Sequence, residues 1–276
     1  MIYDCFMFNN ELDLLEIRLN HHSDFVDKFI LTESTFTYSG KPKRLYYDEV
    51  KDKEPFSKFK NKIIHNVFDL EPNGFKNWEY EKLQRNSLCD FLYLFTHDDI
   101  ILYLDCDELV RNKNVINTSK NIDNIVSLDM TLNWYYFNCV IDPTSEFQKD
   151  YSMEKCFNHR WHMGKIVRKN HLIDFSTNLY AIREHNIWNP ENMLTILNAG
   201  WHFSNLGKGE SIYNKLNSFS HSDELNSKYK ITPKRIERRK KLLLDPLGRK
   251  VKFIKTELDV PKYIMNNIEK YKDYIL

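Results

Sequence analysis

An α/β fold with a mostly parallel central sheet flanked by helices is predicted by three features of this 276-residue chain. Strand-like apolar runs alternate with helical spacing over residues 1–110. The run Ile100–Leu104 is apolar throughout, the pattern of a strand buried on both faces. Acidic residues follow directly on two of the runs, at Thr32-Glu33-Ser34 and Asp105-Cys106-Asp107-Glu108. In parallel sheets, ligands bind beyond such carboxyl ends.

Taken in order, Ile2–Phe8 suits a strand. Leu12, Leu15 and Leu19 recur at helical spacing and predict a helix over 10–21. Phe25–Leu31 reads as the second strand, followed by a polar loop containing Gly40-Lys41-Pro42. Lys62–Phe68 is the third strand, and Trp78–Phe95 a long helix. Beyond Ile100–Leu104, Val126–Val140 is aromatic and strand-like. Trp161–Ile173 has strand character, and Ala199–Ser204 resembles a strand end. Helices are predicted over Glu210–Phe219, Pro233–Leu244 (Pro in its first turn) and Pro261–Tyr274. No repeat or linker breaks the chain, which predicts one domain.

Forty basic and thirty-nine acidic residues leave a net charge of +1, so no global field draws the protein to nucleic acid or membrane. Six basic residues within Lys234–Lys241 make residues 234–244 the one candidate for peripheral membrane or phosphate contact. Aromatic residues at 14% exclude a disordered chain. The five cysteines show no CxxC spacing and predict free thiols. The N-terminus has no basic n-region and no apolar run is long enough to span a bilayer, which predicts a cytoplasmic chain.

The chemistry centres on Asp105 and Asp107. Two carboxylates at spacing two, delivered by a buried strand, repel unless a cation joins them. Hard oxygen ligands suit Mg²⁺ or Mn²⁺, either of which bridges to a diphosphate. His202, within Gly200-Trp201-His202-Phe203-Ser204, is a candidate third ligand that would favour Mn²⁺; the bland reading is a hydrogen-bonded core histidine. Cys156, His159 and His162 have spacings that suit zinc, but no fourth ligand is evident. Walker, GxGxxG and GxSxG signatures are absent.

The opening, Met1-Ile-Tyr-Asp-Cys-Phe through Leu19, resembles that of glycosyltransferase family 17. The resemblance continues at Glu33-Ser34 with Phe36–Lys41, and at Gln84-Arg85-Asn86. It runs on through Asp105–Glu108 and Gly200–Ser204 to Asn214-Lys215 and His221. Two departures stand out. Leu109-Val110 replaces the usual Ile-Pro, and Asn198 stands near a position that is often acidic. The resemblance implies a GT-A-type, Rossmann-like fold spanning 1–276, with a nucleotide-sugar half (1–110) and an acceptor half with C-terminal helices (111–276). It also implies a UDP-sugar donor, UDP-GlcNAc in characterised members, a glycan acceptor, inversion, and a divalent metal. Asp105 and Asp107 then serve donor and metal, with His202 as the later metal ligand. Glu33 and Arg85 fall where such folds contact the donor.

An inverting transfer needs a carboxylate to deprotonate the acceptor. Glu184, between the acidic segment and His202, is the candidate; Asp129 and Asp142 compete. Trp134, Tyr135 and Trp161 are candidates to stack on acceptor sugars. Two other readings remain open: a metal-dependent phosphotransferase or nuclease using Asp98, Asp99, Asp105 and Asp107, and a non-catalytic glycan-binding module.

Overall fold

The computed structural model describes residues 1–145, 160–187, 190–218 and 231–276. The first half builds β1 (Ile2–Phe8), α1 (Leu12–His22), β2 (Lys28–Ser34), α2 (Tyr46–Val50), β3 (Ile63–Phe68), α3 (Asn77–Asn86) and β4 (Ile100–Asp105). The four strands are parallel in the order β3-β2-β1-β4. Register decides what meets at their carboxyl ends. Met7 lies opposite Asp105, and Phe8 opposite Glu33.

Alternation along these strands covers both faces of the sheet. Phe6, Leu31, Leu102 and Leu104 pack with Leu15 and Leu19 of α1 in one core. Cys5, Ile30, Ile101 and Tyr103 enter a second core with Leu88 and Leu172. The α/β architecture with a mostly parallel sheet is therefore the one the sequence pattern predicts.

The remainder extends the sheet with mixed pairing. Its elements are β5 (Glu108–Val110), α4 (Lys113–Ser119), β6 (Val126–Trp134), β7 (Cys139–Ile141), β8 (Arg160–Trp161) and β9 (Lys165–Val167). They continue with α5 (Lys169–Asp174), α6 (Tyr180–Glu184), β10 (Thr195–Ser204), α7 (Gly209–Ser218), α8 (Pro233–Lys241), β11 (Phe253–Lys255), α9 (Lys262–Asn266) and α10 (Ile268–Tyr271). β9 is antiparallel to β4 and β6, while β10 runs parallel to β6 and antiparallel to β5.

Several sequence expectations are corrected. The stretch Trp78–Phe95 is not one helix: α3 ends at Asn86 and the chain tightens into 3₁₀ turns over Ser87–Leu94, with Ser87 Oγ donating to the Gln84 carbonyl. Val126–Val140 is two strands. Tyr135, at φ 68°, reverses the chain, and the Asn133 side chain donates to the Phe137 carbonyl across the turn. Within Trp161–Ile173, Lys169 onward is helical. Pro261–Tyr274 breaks at Asn267.

Gly200 explains how β10 approaches β5. A Cβ there would lie 1.9 Å from the Leu109 carbonyl oxygen, backbone that cannot yield. Gly200→Ala is expected to destabilise the protein by about 3 kcal/mol, the upper range for overpacking. Urea unfolding checks this; a loss below about 0.5 kcal/mol would show that the strands separate freely.

Candidate active site

The turn from Asp105 to Glu108 sits where β4 leaves the sheet, and buried charges fix its shape. Arg18 of α1 is fully buried and held by Asp4 of β1 through Nε (2.9 Å) and Nη2 (2.5 Å). Its Nη1 donates to the carbonyls of Asp105 (2.9 Å), Cys106 (3.3 Å) and Glu108 (2.6 Å). His22 also contacts Asp4 (2.7 Å), and its Nε2 accepts from the Val110 amide at 3.0 Å. One helix face thus grips the turn from beneath. From the far side, the Phe203 amide donates to the Asp107 carbonyl (2.8 Å), bringing β10 and His202 into place.

Glu108, wholly buried, organises the other side. Its carboxylate accepts from the Asp105 amide (2.9 Å), the Trp161 indole (2.6 Å) and both Nη groups of Arg183 (3.0 and 2.6 Å). Trp161 in turn packs on the His202 ring, centroids 4.3 Å apart.

Asp105, Asp107, Arg85, Arg183, His202 and Lys215 all line one cleft. Each Asp105 oxygen meets a different guanidinium: Oδ1 that of Arg85 (2.9 Å) and Oδ2 that of Arg183 (2.7 Å). Arg85 is braced by Glu81, one helical turn earlier (2.8 Å). Asp107 Oδ2 accepts from Lys215 Nζ (2.8 Å) and faces His202 Nε2 at 3.5 Å. Burial alone would raise both carboxyl pKa values. The neighbouring groups outweigh it: the Arg183 and then the Arg85 guanidinium for Asp105, and the Lys215 ammonium and then the His202 ring for Asp107, which is held far below the ordinary range. Both groups are therefore anionic at neutral pH.

Asp107 Oδ2 and His202 Nε2 stand 3.5 Å apart, wider than the edge of about 3.0 Å that an octahedral ion with bonds of about 2.1 Å requires, so the two would have to close by about 0.5 Å to share one Mg²⁺ or Mn²⁺. Asp105, expected as a ligand, has both oxygens on guanidinia instead. Among the described residues no set of three His, Cys, Asp or Glu side chains converges on such an ion. Water and a ligand's phosphate oxygens would complete its shell, as hard cations prefer. Lys215 shares the same Asp107 oxygen and is the competing cation.

Other sequence candidates lie elsewhere. Glu33 is fully buried below the cleft and accepts from the amides of Tyr46 and Tyr47, from Lys43 and from His65; it anchors the start of α2. Glu184 does not line the cleft, whereas its neighbour Arg183 does. Asp129 is engaged by Arg160, His162 and the Asn198 amide, and Asp142 closes a turn with Thr144. Asp99 pairs with the Met1 amine at the opposite end of β4, about 20 Å along the strand from Asp105, so the four-acid constellation is dispersed. Tyr135 is buried, its hydroxyl donating to the Leu244 carbonyl, whereas Trp134 and Trp161 do reach the cleft. Cys156 and His159 lie outside the described residues.

Sequence reasoning missed Arg183 and Lys215 as cleft cations, and Glu11 and Glu81 as cleft acids. The i, i+4 pair Glu81/Arg85 was the available signal. Arg183 had none, since a five-residue helix carries no readable period.

These features define a class: an α/β protein whose parallel strands end in a cleft of paired acids and fixed cations, suited to a polyanionic ligand. The chain belongs to glycosyltransferase family 17, whose model matches residues 1–242. It is 29% identical over 114 residues to the β-1,4-mannosyl-glycoprotein 4-β-N-acetylglucosaminyltransferases of Homo sapiens and Rattus norvegicus. That match covers 39% of this chain and only 21% of each relative. Similar solved structures include a 4-diphosphocytidyl-2C-methyl-D-erythritol synthase (TM-score 0.44, 13% identity, covering 72% of this chain and 88% of that one). S. aureus TarS 1–349 is similar at TM-score 0.41 and 12% identity, covering 78% and 63%. Among the described residues no helix is long and apolar enough to cross a membrane.

Proposed function

We propose that this protein is a glycosyltransferase that moves N-acetylglucosamine from UDP-GlcNAc to a glycan hydroxyl, with inversion and with Mn²⁺ or Mg²⁺ bound at Asp107 and His202. The reading rests above all on the juxtaposition of Asp105 and Asp107 with Arg85, Arg183 and Lys215 at the carboxyl edge of the sheet. The named activity of the curated relatives supports the donor.

The ion would supply Lewis-acid stabilisation of the departing diphosphate. The chain's own contribution is fixed positive charge. Asp105 holds the two guanidinia in a set orientation, so they need no reorganisation as charge grows on the leaving group. Lys215 adds an ammonium held on Asp107 at 2.8 Å. Two cleft carboxylates keep a buried oxygen without a hydrogen-bond partner, Glu81 Oε2 and Asp105 Oδ1, and the latter is already ion-paired with Arg85, which leaves Glu81. It replaces Glu184 as our candidate to take the acceptor proton. Trp78, Trp161 and Tyr180 offer aromatic faces to sugar rings.

The test is UDP release from UDP-GlcNAc across a panel of glycan acceptors, with Mn²⁺ and with EDTA. Acceptor-dependent release that EDTA abolishes and Mn²⁺ restores, giving a product of inverted anomeric configuration, is expected. Undiminished release in EDTA would remove the metal from the proposal. Absence of release from any UDP-sugar, with sugar binding retained, would replace the enzyme with a binding module.

A further inference from the structure

α8 divides its basic residues into two sets. Arg235 and Arg239 turn inward to the carbonyls of Leu247 and Asp245, and Lys240 is buried over the Tyr136 ring with its ammonium on the Gly207 carbonyl. Lys234, Arg238 and Lys241 are exposed. Their spacing of four and three places them on one helix face, and Leu242 continues the same arc of about 100°.

Leu242 is 58% exposed. The chain beyond it is knit to the last strand: Leu244 bridges Lys252, and the Phe253 amide donates to the Leu243 carbonyl at 2.8 Å. Leu243 and Phe253 belong to the core beneath, so their neighbours Leu242, Lys252 and Ile254 point outward; Ile254 is 38% exposed. Lys234, Arg238, Lys241 and Lys252 form no ion pair among the described residues. Glu237, the one acid of α8, turns away to accept from the Gly209 amide (2.9 Å).

We infer that this face seats on an anionic lipid bilayer. Four cations without an acidic partner among the described residues match a negative surface, and two exposed aliphatic side chains among them gain from entering the headgroup region. A nucleic-acid surface would reward the cations but leave Leu242 and Ile254 in water. From the patch the chain runs through the buried Asp245 to Pro246 and Leu247, which line the cleft, so the seated protein has a cleft wall within four residues of the lipid contact along the chain.

The experiment is co-sedimentation of the full chain with two kinds of vesicle, phosphatidylcholine alone and phosphatidylcholine with about 30 mol% phosphatidylglycerol. Binding to the anionic vesicles only, abolished by about 0.5 M salt (a screening length of about 4 Å), is expected. Each neutralised cation lowers affinity about fivefold, so Arg238→Gln with Lys241→Gln lowers it about 30-fold. Leu242→Ser lowers it about tenfold. UDP release from UDP-GlcNAc in solution stays unchanged in these variants, which separates this surface from the cleft. No binding to anionic vesicles overturns the inference. So does binding insensitive to Leu242→Ser and matched by an equally charged RNA, which assigns the patch to general polyanion attraction.

Discussion

Asp107→Asn is expected to lower kcat/KM for sugar transfer by about 10³ while moving the melting temperature only a few degrees. Asn keeps the shape of the side chain and leaves the Asp107 carbonyl bonded to the Phe203 amide, so the turn stays built. What is lost is the negative charge that Lys215 and His202 share. Lys215 is partly exposed and still has Glu11 at 3.9 Å, which limits the stability cost to about 1–2 kcal/mol. Preorganised charge at a reacting centre is worth far more to rate than to folding, typically about 10²–10³ per group. Steady-state kinetics beside a thermal melt reads both quantities. Turnover within about tenfold of wild type would remove Asp107 from the chemistry.

Arg18→Met is the substitution expected to cost the most stability, about 3–5 kcal/mol. It leaves the fully buried Asp4 carboxylate with His22 as its remaining polar partner, and takes a donor from three carbonyls of the acidic turn. For a chain of this size that lowers the melting temperature by about 10 °C. The double variant Asp4→Leu/Arg18→Met should recover a large part of the loss, because it removes the stranded charge together with its partner. A single-variant cost below about 1 kcal/mol, or strict additivity in the cycle, would show that the pair does not act as a unit. The acidic turn loses its grip in either variant, so sugar transfer falls even where the fold is rescued.

Much of the candidate site's edge is legible in the order of residues along the chain. Ile100–Leu104 announces a buried strand because every residue in it is apolar, and the acids directly after it fall at the carboxyl end of the sheet. β1 and α1 follow the same logic, with Leu15 and Leu19 repeating at the helical period. Arg85, four residues after Glu81, is likewise a local pattern. The second half is harder to read. There the chain turns on single residues, such as Tyr135 in a left-handed conformation, and no period marks such a point.

Sequence alone therefore determined the parallel α/β half and the delivery of Asp105 and Asp107 to its carboxyl edge, since hydrophobic periodicity is a property of neighbours along the chain. Only the tertiary structure decided which charges those acids meet. Arg183 and Lys215 arrive from about 80 and 110 residues away, Arg18 reaches the carbonyls of the turn from nearly as far, and Glu33, equally acidic and equally at a strand end, is turned inward to cap α2. Whether a carboxylate faces a ligand or a helix amide depends on burial and on partners brought by register and packing, neither of which is written in its local sequence.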